Sequence, residues 1–405
     1  MVENYNVIEV ADSIFWIGAN DRETDKFEGL LDLPMGVAYN SYLMRGEKNV
    51  LIDTVKSSFM DDFLHRLTGL LDSKPLDYVI VNHMEPDHSG SVDVIKRLYP
   101  DVKFVGNAKT VEMMKNFYGL EGCTIAVKEG ETLDIGDRKL VFAFAPMVHW
   151  PESMVSYEPN LKILFSNDIF GGFGALEGGI FDDEVNFDWT VYETMRYYVN
   201  IVGRYAKPAT KALEKVRKLD ISMICPSHGP VWRSDIDKII GLYEKWSRQE
   251  TDEGVVVVYG SMYGNTKLAS DAIARSLSMS GINPVQIYDV SRSNISFITT
   301  DIWRYSGLIL SCCTYNMELY PPMAGLLRLL ANKNMTGRHI GLCGTYSWAG
   351  AALREMSEFV EKSNGGWTLV GPTIEIKSRP TSADIEQCRM LGKNMAEIVK
   401  NKHSK

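Results

Sequence analysis

The chain of 405 residues is short of several things that would settle its class at once. It has six cysteines, at positions 123, 225, 312, 313, 343 and 388, but no C-x-x-C pair among them. They read as reduced, mostly buried small residues, as in a cytosolic protein. Adjacent Cys312 and Cys313 lie in an apolar run and read as packing residues. No apolar stretch approaches the roughly 18 to 20 residues that span a bilayer. The opening Met1-Val2-Glu3-Asn4-Tyr5-Asn6 has neither a basic n-region nor an apolar h-region, so neither a membrane nor an export route is expected, and a cytoplasmic location is. Positive charge is in deficit: 43 Lys and Arg face 52 Asp and Glu, a net charge of -9. That argues against a nucleic-acid partner, which needs a basic face. Repeats and low-complexity tracts are missing as well.

Histidine is scarce too, with seven in the chain, yet four of the seven fall at apparent strand ends. The run His83-Met84-Glu85-Pro86-Asp87-His88 follows the β-rich segment Leu76–Val81 and places four metal ligands within six residues. Two imidazoles and two carboxylates, with no thiolate, suit iron or manganese better than structural zinc. His149 follows the run 141–146, Asp168 follows 164–167, and His228 lies just past the apolar segment 221–225. Any one of these alone is more often structural than a ligand; the ensemble is what points to a metal site. His65, His339 and His403 have no ligand-rich company.

Two grammars succeed one another along the chain. Strands are expected at 13–17, 40–44, 49–53, 79–81, 103–105, 140–144 and 162–165, with short helices at 58–71, 90–98 and 110–118. A long helical stretch at 186–218 and a strand at 221–225 follow. Past the polar segment 248–254, strands at 255–259, 284–288, 308–311, 339–343 and 369–376 alternate with helices at 265–279, 295–304, 321–331, 349–363 and 381–401. Five βα units in succession predict a doubly wound parallel sheet. Two domains are expected, 1–250 and 254–405.

The second domain opens with the apolar run 255–260 and then Ser261-Met262-Tyr263-Gly264-Asn265-Thr266. Hydroxyls, a glycine and backbone amides between strand and helix make an anion cradle at a helix N-terminus. Two later strand ends carry Thr314-Tyr315-Asn316-Met317 and Gly344-Thr345-Tyr346-Ser347-Trp348-Ala349-Gly350. Ligands of this fold bind outside the carboxyl ends of the strands. Tyr315, Tyr346 and Trp348 offer flat partners to a planar ring, and the glycine-rich backbone offers donors to its polar edge. The segment 261–266 resembles the phosphate loop of flavodoxins, which implies FMN.

The metal residues resemble those of the metallo-β-lactamase superfamily, whose H-x-H-x-D-H loop is followed by His, Asp and His at later strand ends. Glu85 stands where hydrolytic members have the second histidine. H-x-E-x-D-H marks the flavodiiron branch, in which a flavodoxin-like domain follows the metal domain, so the resemblance covers essentially the whole chain. It implies an N-terminal metallo-β-lactamase-like αββα sandwich followed by a flavodoxin-like doubly wound parallel sheet. It further implies two irons per chain, one held by His83, Glu85 and His149, the other by Asp87, His88 and His228, with Asp168 bridging. Three carboxylates would offset three of the four charges of a diferrous pair, which favours binding a small oxidant. The expected activity is reduction of O2 to water, of NO to N2O, or both, with electrons passing through FMN. The resemblance also implies a head-to-tail homodimer or a dimer of dimers. Since no rubredoxin-type C-x-x-C pair is present, electrons are expected from a separate rubredoxin-like protein or a reduced deazaflavin coenzyme. Many relatives carry a tyrosine in the loop that matches 24–29; here Lys26 takes that place, so a phenol beside the metals is not expected from it. Two rival readings are a dinuclear zinc hydrolase and a plain electron carrier with a vestigial first domain. Glu85 and the flavin loops weigh against the first, and the full ligand set against the second.

Overall fold

Short apolar runs punctuated by turns build two sheets in the first part of the chain. The computed structural model describes residues 7–363 and 366–404, in two compact units, Met1–Arg248 and Gln249–Lys405. One seven-stranded sheet of the first unit runs in the order Ile8–Ala11, Ile14–Trp16, Tyr42–Met44, Val50–Ile52, Tyr78–Ile80, Lys103–Asn107, Thr124–Val127. A five-stranded sheet orders Thr132–Asp134, Lys139–Phe144, Met154–Glu158, Ile163–Asn167 and Met223–Pro226. Ile52, Ile80 and Val105 from the first sheet and Phe142, Met154 and Phe165 from the second share one buried cluster. That shared core makes the unit a sandwich. Helix Ala108–Tyr118 packs on the first sheet; helices Ala206–Val216 and Ile236–Ser247 pack on each other.

Strand direction gathers the site. Ile163–Asn167 and Met223–Pro226 are parallel. Lys139–Phe144 points the same way, because two antiparallel pairings separate it from Ile163–Asn167. Residues just past the ends of these three strands therefore emerge at one edge of the sheet.

The second unit is a parallel sheet in the order Val285–Asp289, Asp252–Gly260, Tyr305–Tyr315, Arg338–Tyr346, Trp367–Leu369. Numbered by appearance this is 2-1-3-4-5, the flavodoxin order, whose ligand crevice lies where strand order reverses. Helix Asn265–Met279 spans the residues expected of it, as does Ile295–Arg304.

Three expectations change. The single strand at 369–376 is two, Trp367–Leu369 and Ile374–Lys377, both pairing with Arg338–Tyr346. Pro372 lies between them and has no N–H to give a ladder. The stretch 186–218 is helix Phe187–Tyr197, a π turn at Tyr198–Val202, a tight turn at Gly203–Tyr205 and helix Ala206–Val216. Pro208 has no N–H to bond back to residue 204, so the chain restarts there, with the proline in the first turn of the new helix. Helix Ile236–Ser247 and strands Ile8–Ala11, Thr124–Val127 and Met154–Glu158 were not anticipated. Among the described residues no helix is long and apolar enough to cross a membrane.

Candidate metal and flavin sites

The loop after Tyr78–Ile80 delivers His83 and Glu85 before it turns into the short helix Pro86–Ser89, with Pro86 at its first position and Asp87 in its first turn. Both features favour a helix start. The loop is clamped from beneath. Asp53 accepts the Asn82 backbone N–H at 2.8 Å and its side-chain amide at 3.1 Å. Ser156 donates to Asn82 Oδ1 at 2.7 Å. Thr54 donates twice to the His88 carbonyl, from its backbone at 2.7 Å and its hydroxyl at 2.8 Å. Burial pushes the Asp53 carboxyl up to about 6 despite the Asn82 donors. On the far side, Asn40 donates to the carbonyls of Pro226 and Gly229, both at 2.9 Å, and so fixes the His228 loop.

The seven residues singled out in the sequence come together as two groups. His83, Glu85, His149 and Asp168 form one, and Asp87, His88 and His228 the other. Asp168 faces both. Its Oδ2 lies 3.4 Å from His83 Nε2 and 3.2 Å from His149 Nε2, while its Oδ1 lies 3.1 Å from His88 Nε2 and 3.6 Å from His228 Nε2. His149 Nε2 is 3.0 Å from Glu85 Oε2, and His228 Nε2 is 3.4 Å from Asp87 Oδ2. Ligands about 2.1 Å from one ion and at right angles stand about 3 Å apart, so these separations suit shared cations.

Unsatisfied atoms test the fit. Both oxygens of Asp87 and of Asp168, both nitrogens of His88 and Nε2 of His228 are buried with no hydrogen-bond partner. Buried polar atoms left so would cost on the order of 1–3 kcal/mol each. These seven atoms are gathered on four of the cluster residues, Asp87, His88, Asp168 and His228, where two metal ions would satisfy most of them.

Electrostatics agrees. Burial pulls the His83 imidazole down, but Glu152, Glu85 and Asp168 outweigh it and raise the group to about 10. His88, likewise buried, is raised to about 9 by Asp87 and Asp168, and His149 to about 10 by Asp168 and Glu85. Burial opposes ionisation of Asp168, yet His88, His149 and His83 hold it well below the usual range. The pocket therefore demands cationic charge. Iron in place of protons would meet that demand and leave the imidazoles neutral.

Aromatic rings wall the His228 side. Phe27, Tyr39 and Tyr197 have centroids 5.5, 5.7 and 5.2 Å from that imidazole. Tyr197 was missed in the sequence, where nothing but a helical position marks it. Its hydroxyl is buried without a partner. Burial, and then the charges of Asp168, Glu85 and Asp87, push the phenol well above its usual value. A neutral phenol thus stands against the His228 side of the cluster. Lys26 itself is exposed on strand Lys26–Phe27. Two residues on, Glu28, exposed at the surface but with its carboxyl turned toward Glu85, is pushed up to about 7 by partial desolvation and by that carboxylate.

In the second unit, Ser261–Thr266 bridges strand and helix. Gly264 caps the helix at φ 88, a left-handed conformation glycine adopts freely. Its N–H donates to Ser261 Oγ at 3.1 Å. Thr266 and Thr345 share a hydroxyl hydrogen bond of 2.7 Å between two expected loops. Thr314 Oγ1 accepts the N–H groups of Ala351 and Ala352 at 3.0 and 3.1 Å, tying a third loop in. A groove is lined by Ser261, Met262, Tyr263, Asn265, Thr266, Thr314, Thr345 and Tyr346, and also by Cys313, Ser347 and Ser378. Tyr315, Tyr263 and Trp348 are exposed, the last two 91% and 82%. Asn316 makes the turn after Tyr315 with φ 48. Gly350 lies close to Glu375 and Tyr346. At Gly344 a Cβ would come within 2.7 Å of Leu353 Cβ, so the residue also lets a helix approach the sheet.

A sandwich edge with paired His and carboxylate groups, followed by a flavodoxin-order sheet, defines a two-domain flavoprotein with a dinuclear metal centre. Two family models match, one described as ODP family beta lactamase over residues 37–229 and the other as flavodoxin over 257–392. An uncharacterized protein of Methanocaldococcus jannaschii is 35% identical over 97% of this chain and 98% of its own. The anaerobic nitric oxide reductase flavorubredoxin of Salmonella typhi is 33% identical over 96% of this chain and 82% of its own. The solved structure of rubredoxin oxygen:oxidoreductase from the anaerobe Desulfovibrio gigas superposes with a TM-score of 0.94 at 28% identity, covering 98% of this chain and 100% of that one. That of the flavodiiron protein of Giardia intestinalis gives 0.93 at 27%, covering 98% and 97%. The chain belongs to the flavodiiron protein family. It is a diiron oxidoreductase with FMN as its second cofactor.

Proposed function

We propose that this protein reduces O2 to water, NO to N2O, or both, at a diiron centre held by His83, Glu85 and His149 on one iron and by Asp87, His88 and His228 on the other, Asp168 bridging. The observation that carries the assignment is Asp168, whose two oxygens face the two groups separately. Bound iron and FMN supply the electrons: four with four protons turn O2 into two waters, and two with two protons turn two NO into N2O and water. The chain's own part is positioning and exclusion. Phe27, Phe173 and Tyr197 pack edge to face with one another and keep bulk water from the His228 side. The Tyr197 hydroxyl, with no partner among the described residues, is free to donate to a small ligand. FMN would take the loops 261–266, 314–316 and 344–350, its phosphate at the N-terminus of helix Asn265–Met279.

Names of relatives support both substrates: one acts on nitric oxide, another is an oxygen oxidoreductase of rubredoxin. A rubredoxin-like protein or a reduced deazaflavin coenzyme is the proposed donor, and a head-to-tail homodimer or dimer of dimers the proposed assembly. Exposed Tyr263 and Trp348 support a covering of the flavin loops by another surface. A cytoplasmic location accords with the buried free thiols. The test is anaerobic reduction followed by parallel O2- and NO-consumption assays, with iron and flavin counted per chain and mass measured in solution. A colourless zinc protein would point to the hydrolase, a yellow metal-free one to the carrier, and a fully active monomer would sink the assembly.

A further inference from the structure

Glu152 is wholly buried and belongs to neither metal group. Its Oε1 lies 2.7 Å from His83 Nδ1, the nitrogen turned away from the cluster, and accepts the Met84 backbone N–H at 3.0 Å. Its Oε2 is buried with no partner. Among the described residues no lysine or arginine pairs with Glu152; its side-chain contact is the His83 ring. A carboxylate so deep in protein is costly unless a cation answers it. Here the answer reaches it through the His83 ring. The two imidazoles of the other group are held differently: His228 Nδ1 meets the Ala38 carbonyl at 2.7 Å, and His88 Nδ1 has no hydrogen-bond partner among the described residues.

We infer that Glu152 is a positioning residue for the iron on the His83 side, and that the asymmetry between a carboxylate there and a carbonyl behind His228 makes the two irons electronically unequal. This rests on the ligand assignment above. Accepting the Nδ1–H fixes the tautomer, so that Nε2 offers its lone pair to the metal, and lends the ring negative charge. The more strongly donating imidazole favours the higher oxidation state of its own iron. Reduced centres should then be oxidised first on the His83 side.

The test compares wild type with Glu152→Gln and Glu152→Asp. Iron(II) is titrated into metal-free protein, and Mössbauer spectra are taken in the diferrous and half-oxidised states. Glu152→Gln keeps the shape but not the charge; it should weaken one of two iron-binding steps about 10- to 100-fold and change one of the two iron signals, leaving the other. Glu152→Asp, charge retained, should restore part of both. Far-UV circular dichroism and FMN content check that the variants fold. Should Glu152→Asp alone fold, its one-sided change of signal serves in place of the glutamine variant. Two irons bound by Glu152→Gln with wild-type affinity and unchanged signals overturn the inference, as does an equal change at both irons. Wild type that binds no coupled iron pair instead overturns the ligand assignment itself.

Discussion

The two cofactor sites hold their guests by opposite means. The metal pocket is built from ionisable side chains sealed in the protein, several of whose polar atoms have no partner of their own. The flavin groove is built from hydroxyls and backbone at loop ends, and its aromatic residues stand in the open. A metal ion needs only a few atoms but needs them charged and dry, so the fold carries strain in the form of unmet hydrogen bonds. A nucleotide is large, and its phosphate is satisfied by amides that a helix start provides anyway.

Breaking the metal side should have the largest effect. Asp168→Asn removes the one carboxylate that faces both groups; oxidant reduction should fall by more than about 100-fold, beyond what loss of a supporting residue costs. Iron analysis and Mössbauer spectroscopy should find no coupled pair, while FMN content stays at wild-type level. The reciprocal change is Thr266→Val, which breaks the Thr266–Thr345 hydrogen bond and takes a hydroxyl from the cradle. FMN should bind about 10- to 100-fold more weakly, from a loss of about 1.5–3 kcal/mol, with both irons retained. Fluorescence titration of flavin-free protein reads this directly. Tyr197→Phe sharpens the contrast, because it removes a buried hydroxyl that bonds to nothing among the described residues. Metal-free protein should become more stable by about 1 kcal/mol in denaturant melts while turnover falls, with NO and O2 affected unequally. Lys26→Ala should do least. An exposed lysine of this kind is worth within about 0.5 kcal/mol, and activity should be unaltered within error.

The sequence disclosed the metal site more fully than the fold around it. His83, Glu85, Asp87, His88, His149, Asp168 and His228 are rare, chemically specific residues at strand ends, so type and position sufficed. Tyr197 could not be seen that way, because a tyrosine on a helix is ordinary until its neighbours are known. Glu152 was equally silent, since its meaning lies in a contact with a residue 69 positions away. In the second unit the alternation of apolar strands and amphipathic helices was plain, and its helices fall close to where the periodicity puts them. The first unit hid more: strands Ile8–Ala11 and Thr124–Val127 are four residues long and partly buried, too short for a clear period of two. Gly344 shows the same limit from another side. A glycine in a ligand-binding segment reads as backbone access, and the sequence does not show that it also admits a helix.

Every cysteine in the chain is buried. For a protein proposed to reduce O2 or NO, that bears on where its own chemistry can wound it. Thiols out of solvent are slow to climb toward sulfinic and sulfonic acids, the rungs from which return is hardest. Met262 and Met317, exposed 41% and 58% at the flavin loops, are the easier targets. Their sulfoxides are repaired enzymatically. Wear during turnover should therefore fall on replaceable thioethers at the rim, and peptide mass mapping after prolonged cycling should find single-oxygen additions there before any at sulfhydryls.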